Sequence, residues 1–256
     1  MIPRRVYEHV KNHNWFAVGV DLAVVVLGLL IGFQIDRAWE AQTSRSEIAE
    51  YRARLVDDFR TELEALDRRI AYFSRIEAHA QSALAACDRP AADLGATFIV
   101  DAYQATQTWP FSAPRGAYDE MISAGRVNLI PDTTLRKRLA TFYSELEQDN
   151  ATWNEEKPYR ELVRAFLPAA IQIKTHEACE RNEVGTGGAL TLSQPDACGV
   201  ALSDAEIAAG VAALKSTPGF KPELNRQIAS NESKLRLFRA RADQVRIMIA
   251  EVEGRK

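Results

Sequence analysis

The sequence predicts an all-α protein. One N-terminal transmembrane helix continues into an extracytoplasmic antiparallel helical bundle, which carries a disulfide-closed irregular loop. Three observations predict it. Trp15 to Ile35 (WFAVGVDLAVVVLGLLIGFQI) carries a single charge, Asp21, and is long enough for a bilayer core, which takes about 20 apolar residues. Residues 36–86 contain no Gly or Pro and repeat apolar side chains at helical spacing. Near the C-terminus, Leu224, Ile228, Asn231, Leu235, Phe238, Ala242, Val245, Ile249 and Val252 alternate steps of four and three, the mark of a bundle or coiled-coil seam.

The 256 residues are 46% hydrophobic and 26% charged, an ordinary globular composition with enough chain beyond the span to build a core. A net charge of -3 offers no basic surplus, so no nucleic-acid partner is expected.

The span takes its direction from its flanks. Arg4, Arg5 and Lys11 precede it against Glu8 alone, whereas Asp36, Arg37, Glu40, Arg45 and Glu47 behind it are mixed. This bias predicts a cytoplasmic tail (1–14), a transmembrane helix (15–35) and an extracytoplasmic body (36–256). A cleaved signal peptide is the competing reading. It needs a short apolar core and a small-x-small cleavage site, and GFQIDRAWEAQ shows no convincing one.

The helix leaving the membrane carries Ile48, Leu55, Phe59, Leu63, Leu66, Ile70, Phe73 and Leu84, and is predicted to end near Cys87 before Pro90. A second helix is predicted over 92–108, stopped by Trp109-Pro110. A third runs over 115–124 to Gly125, a good left-handed stop. Asp132 is the expected N-cap of the next, whose stripe is Leu135, Leu139, Phe142, Leu146 and Trp153. Pro158 opens another, with Leu162, Val163 and Phe166. Residues 171–202 lose periodicity and are expected to be irregular, with room for a small hairpin at GGALTL. Ser203-Asp-Ala-Glu206 is a capping box that opens a short helix to about Leu214.

Within the span, Asp21, Gly28, Gly32, Ile35 and Trp39 fall within roughly a 60° arc at about 100° per residue. Gly28 and Gly32 form a small-xxx-small pair, which lets helix backbones approach closely. This face predicts a homodimer or docking on another membrane protein, besides the contact with the lipid bilayer. Glycine is also simply common in membrane helices. Asp21 lies about 9 Å along the helix from Trp15. Either it is embedded and takes a partner or a proton, or it reaches the cytoplasmic headgroups.

Cys179 and Cys198 flank a polar, Gly-rich stretch and are the disulfide candidates in an oxidising compartment. Pairing of Cys87 with either one is an alternative, as are three reduced thiols. His176, Glu177 and Cys179 have only loose metal-ligand spacing. Asp57, Asp58, Glu62 and Glu64 alternate with Arg52, Arg54, Arg60, Arg68 and Arg69. They read as a solvated, ion-paired face rather than paired catalytic carboxylates. The aromatics Trp109, Phe111, Tyr118, Tyr143 and Trp153 read as core rather than pocket lining. No nucleophile elbow, phosphate loop, HExxH or dinucleotide fingerprint occurs, so no enzymatic activity and no cofactor are expected.

Two stretches resemble a bacterial family of short single-pass envelope proteins, defined as a domain of unknown function. In the first, Asp21 is followed by Gly28, then Leu-Leu-Ile-Gly-Phe-Gln-Ile-Asp and Trp39-Glu40. The family's usual Gly-Glu is Val20-Asp21 here, with Gly19 displaced by one, and its usual Asn is Asp36. The second runs from Ala117 through Tyr118, Gly125, Leu129, Ile130 and Asp132 to Tyr143. It is similar to the family's Tyr-x-x-Leu-x-x-Ser-Gly-x-Leu-x-Leu-Ile turn, with Met121 for Leu.

The resemblance implies a membrane-anchored helical protein and no reaction. The expected role is that of an interaction or scaffold protein of the bacterial inner membrane. An extracytoplasmic ligand sensor that signals through a membrane partner is the alternative.

Overall fold

A computed structural model of the chain describes residues 15–110, 114–153, 157–184, 190–195 and 198–254. It is mostly helical, with one two-stranded hairpin among the described residues.

Helix α1 runs unbroken from Trp15 to Ala86, 72 residues, a rod of about 108 Å. Its N-terminal part is long and apolar enough to cross a membrane by length and composition, and every described side chain from Gly19 to Arg37 is exposed. The rod ends where expected, just before Cys87 and Pro90. The helix predicted over 92–108 is instead a 3-10 turn (Ala91–Asp93) and α2 (Ala96–Gln104). Gly95 separates them in an extended conformation that no helix can include. Beyond Gln104, the Thr106 hydroxyl donates to the Tyr103 carbonyl, a local bond that competes with continuing the helix.

Helices α3 (Gly116–Ser123), α4 (Thr133–Trp153) and α5 (Pro158–Phe166) begin and end close to expectation. Asp132 caps α4 by accepting from the backbone N–H groups of Thr134 and Leu135.

The irregular loop predicted over 171–202 is corrected at its start, because α6 spans Ala169–Cys179. Its buried residues are Ile171, Thr175 and Cys179, spaced four apart. Two of the three are not aliphatic, so the stripe carried no apolar periodicity. Strands β1 (Arg181–Val184) and β2 (Leu190–Ser193) then pair antiparallel, Arg181 opposite Ser193 and Val184 opposite Leu190. Helix α7 (Asp204–Ser216) opens with the complete reciprocal capping box of Ser203 and Glu206. Helix α8 covers Phe220–Val252.

The long helices are antiparallel, because contacts climb α1 as they descend α8. Arg60 pairs with Glu253 at 2.9 Å, Asp67 with Arg246 at 3.7 Å, and Asp88 with Lys221 at 2.7 Å. Phe73 meets Phe238 with ring centroids 5.5 Å apart.

Two apolar clusters share this spine. The one nearer the exposed rod holds Leu55, Phe59, Leu66, Met121, Leu139, Phe142 and Val245. The far one holds Ala80, Phe98, Ile99, Tyr159, Ile171, Leu214 and Leu224. Between them lies a polar layer, where Gln81 donates to Glu77 at 2.9 Å and Gln227 to Asn231 at 3.2 Å. Asn231, a seam residue by sequence, is 0% exposed. Helix α7 lies so close to α2 and α6 that a Cβ on Gly210 would meet Ile99 Cδ1 at 2.7 Å.

Candidate functional site

Nothing in the described body packs on the apolar rod. A Cβ built on Gly28 or Gly32 meets no atom within 4 Å, and Ile35 and Trp39 are 60% and 67% exposed. Because α1 is one helix, its two halves can be compared by angle. At about 100° per residue, Ser46, Glu50, Ala53 and Asp57 continue the stripe of Asp21, Gly28, Gly32, Ile35 and Trp39. All nine are exposed. Leu55, Phe59 and Leu66, which anchor α1 in the core, point the opposite way. The face predicted to make contacts in the span is therefore turned away from the body's core, and among the described residues the body reaches its edge only at Trp39.

The turn residues are placed by local rules. Gly125 takes φ +65°, the left-handed stop of α3. Its N–H donates to the Ile122 carbonyl at 3.0 Å, and the Arg126 N–H to that of Met121 at 2.8 Å. Tyr118 stacks on Tyr143 at 4.2 Å between centroids, and Ile130 is buried in the nearer cluster.

Arg126 pairs with Glu47 of α1 at 3.1 Å, and Leu129 shares a shallow groove with Trp39, Glu40 and Thr43. The exit of the span and the turn, about 90 residues apart in the chain, thus meet at the base of the body.

The predicted solvated face of α1 is corrected at two positions, Glu62 and Arg69. Arg54 pairs with Glu120, and Asp58 accepts from the Ala117 N–H at 2.9 Å. Glu62, however, is 2% exposed, and neither carboxylate oxygen has a hydrogen-bond partner. Burial pushes its carboxyl up to about 7, against the pull of Arg69 and Arg241. Arg69 is itself lowered to about 10 by burial, stacks on Trp109 and donates to the Pro110 carbonyl. Arg241 enters from α8 and binds Glu145 at 2.9 Å and Asp149 at 2.5 Å, both on α4. Sequence reasoning missed this buried group. The signal was there: Leu55, Phe59, Glu62, Leu66, Arg69, Phe73 and Ile76 step by four and three, so Glu62 and Arg69 sit on the core stripe.

Cys179 and Cys198 form the expected disulfide, with Cα atoms 5.0 Å apart, and it staples the end of α6 to the segment before α7. Cys87 is free and buried, and burial raises its thiol above the usual range. No cluster of three His, Cys, Asp or Glu side chains suits a metal among the described residues. Trp109 packs edge-on against Tyr72 at 5.4 Å as core. Phe111 and the Trp153 side chain lie outside the described residues.

These features define a helical bundle carried on one long helix with an apolar, unpacked end. No protein-family model matches the chain, and no curated protein or solved structure is significantly similar to it.

Proposed function

We propose that the protein is a non-enzymatic, single-pass interaction or scaffold protein of a bacterial inner membrane. The N-terminus lies in the cytoplasm and the bundle in the periplasm. The reading is carried by one observation: every described side chain of α1 from Gly19 to Arg37 is exposed, and the Asp21–Gly28–Gly32–Ile35 face points away from the body's core. Covering such a rod with lipid removes the cost of wetting it. Its glycine face then remains open to a second helix.

Two further observations support the topology. The Arg and Lys residues cluster before the span. The Cys179–Cys198 disulfide suits a body held in an oxidising compartment. The family resemblance supports the same reading, since its two stretches carry the span face and the turn that meets it.

The test is cysteine scanning across residues 17–35 in native membranes, with the chain first shown to resist alkaline extraction. Crosslinks to a protein partner should recur with helical period and peak at Gly28 and Gly32. A chain that washes off the membrane, or crosslinks without period, would rule the reading out.

A further inference from the structure

Just beyond the span, the charges of α1 fall into two groups. Glu47, Arg54 and Arg60 are used inside the chain, by Arg126, Glu120 and Glu253. Arg45, Glu50, Arg52 and Asp57 enter no ion pair among the described residues, and Arg45, Glu50 and Asp57 are exposed.

Counted in heptads, as a two-stranded supercoil requires, rather than at about 100° per residue, the four flank one seam. Asp21, Val25, Gly28, Gly32, Ile35, Trp39, Gln42, Ser46, Ala49 and Ala53 alternate steps of four and three, and every one is exposed. The next residue of the series, Val56, is 6% exposed. Arg45, Ala49, Arg52, Ala53 and Val56 line a groove closed on one side by Val252 of α8.

In a parallel two-stranded coil, a residue on one flank of the seam meets the residue about five positions further along the other strand. Arg45 then faces Glu50 of the other strand, and Arg52 faces Asp57. Both pairs join opposite charges, and two-fold symmetry repeats each of them.

We propose that the stem over residues 42–57 pairs with the same stretch of a second copy of this chain, as a parallel continuation of the helix contact in the membrane. The proposal rests on the membrane-anchored reading above, because two copies inserted the same way are held parallel. Complementarity of the free charges selects a second copy over an unrelated helix. The small seam residues Ser46, Ala49 and Ala53 allow close approach but bury little apolar area, so the stem contributes selectivity and register while the span contributes proximity. The body bounds the pairing at its far end, where Val56 is buried and Val252 stands beside the groove, and leaves Gln42, Ser46, Ala49 and Ala53 exposed.

The experiment uses the full chain in lipid bilayers. Single cysteines at Ser46, Ala49 and Ala53 should crosslink between copies. Those at Leu30 and Arg37, on the face opposite the seam, should not. The unaltered chain should not crosslink, because Cys87 is buried and the other two cysteines are bonded.

Arg45→Glu with Arg52→Glu should weaken the dimer about tenfold or more, as should Glu50→Arg with Asp57→Arg. Mixing these two variants should restore dimers that contain one of each, with helicity by circular dichroism unchanged throughout. A monomeric chain in bilayers overturns the proposal, and so do charge reversals without effect. Crosslinks at Gly28→Cys and Gly32→Cys with none at residues 46, 49 and 53 overturn the stem and leave the span reading standing. Loss of membrane attachment overturns both.

Discussion

Glu62 shows how one residue ties the body's stability to pH. Its carboxyl titrates near 4.5 in the unfolded chain and near 7 in the fold, because burial penalises the charged form more than Arg69 and Arg241 repay. Below about pH 4.5 the group is protonated in both states and is neutral to stability. As pH rises towards about 7, the unfolded chain releases its proton first, and the fold loses about 3 kcal/mol across that window. Glu62→Gln should therefore flatten the pH dependence and leave the variant more stable than the parent at pH 8. Denaturant titrations of the full chain in detergent at pH 5 and pH 8 check this, and an unchanged pH slope would sink the account.

Gly125 makes a second test at this scale. Nothing crowds its Cβ position, so Gly125→Ala costs only the left-handed conformation, about 1–2 kcal/mol. A melting temperature unchanged by that substitution would contradict the assigned φ.

At the scale of elements, the hairpin and α6 form a unit held by one covalent closure. The Cys179–Cys198 bridge spans a sequence separation of 19, and its loss should cost about 3 kcal/mol. Cys179→Ser with Cys198→Ser, or mild reduction, should lower the melting temperature of the body. An unchanged melting temperature would mean that the bridge staples a segment already fixed by packing.

Helix legibility varied for a physical reason. The seam of α8 was plain because most of its buried side is apolar, with Leu224, Leu235, Phe238, Ala242, Val245 and Val252 outweighing Gln227, Asn231 and Arg241. Helix α6 was not, because Thr175 and Cys179 hold its buried stripe. Thr175 is satisfied by donating to the Ile171 carbonyl at 2.8 Å, which no hydrophobic pattern reveals.

For the whole molecule, the unbroken α1 fixes the angle between span and body. Inserting two alanines between Ala41 and Gln42 should rotate one part against the other by about 200°. Crosslinking at Gly28→Cys should then persist while crosslinking at Ser46→Cys is lost, with the body's melting temperature unchanged. Persistence of both would show that the two halves of α1 are not one rigid element.

The sequence by itself determined the apolar span and the direction its flanking charges predict. It also determined the Ser203–Glu206 capping box, the Gly125 stop and the seam of α8. Each is a local matter of period, cap or backbone freedom. It singled out Cys179 and Cys198 from spacing, although their bond depended on the fold. Tertiary structure alone decided that Trp39 shares a groove with Leu129, and that Glu62 lies inside with Arg69 and Arg241. It alone decided that the body packs on the side of α1 opposite the glycine face. Burial depends on which neighbours arrive from distant parts of the chain, and helical spacing gives a side chain an angle without saying what stands there.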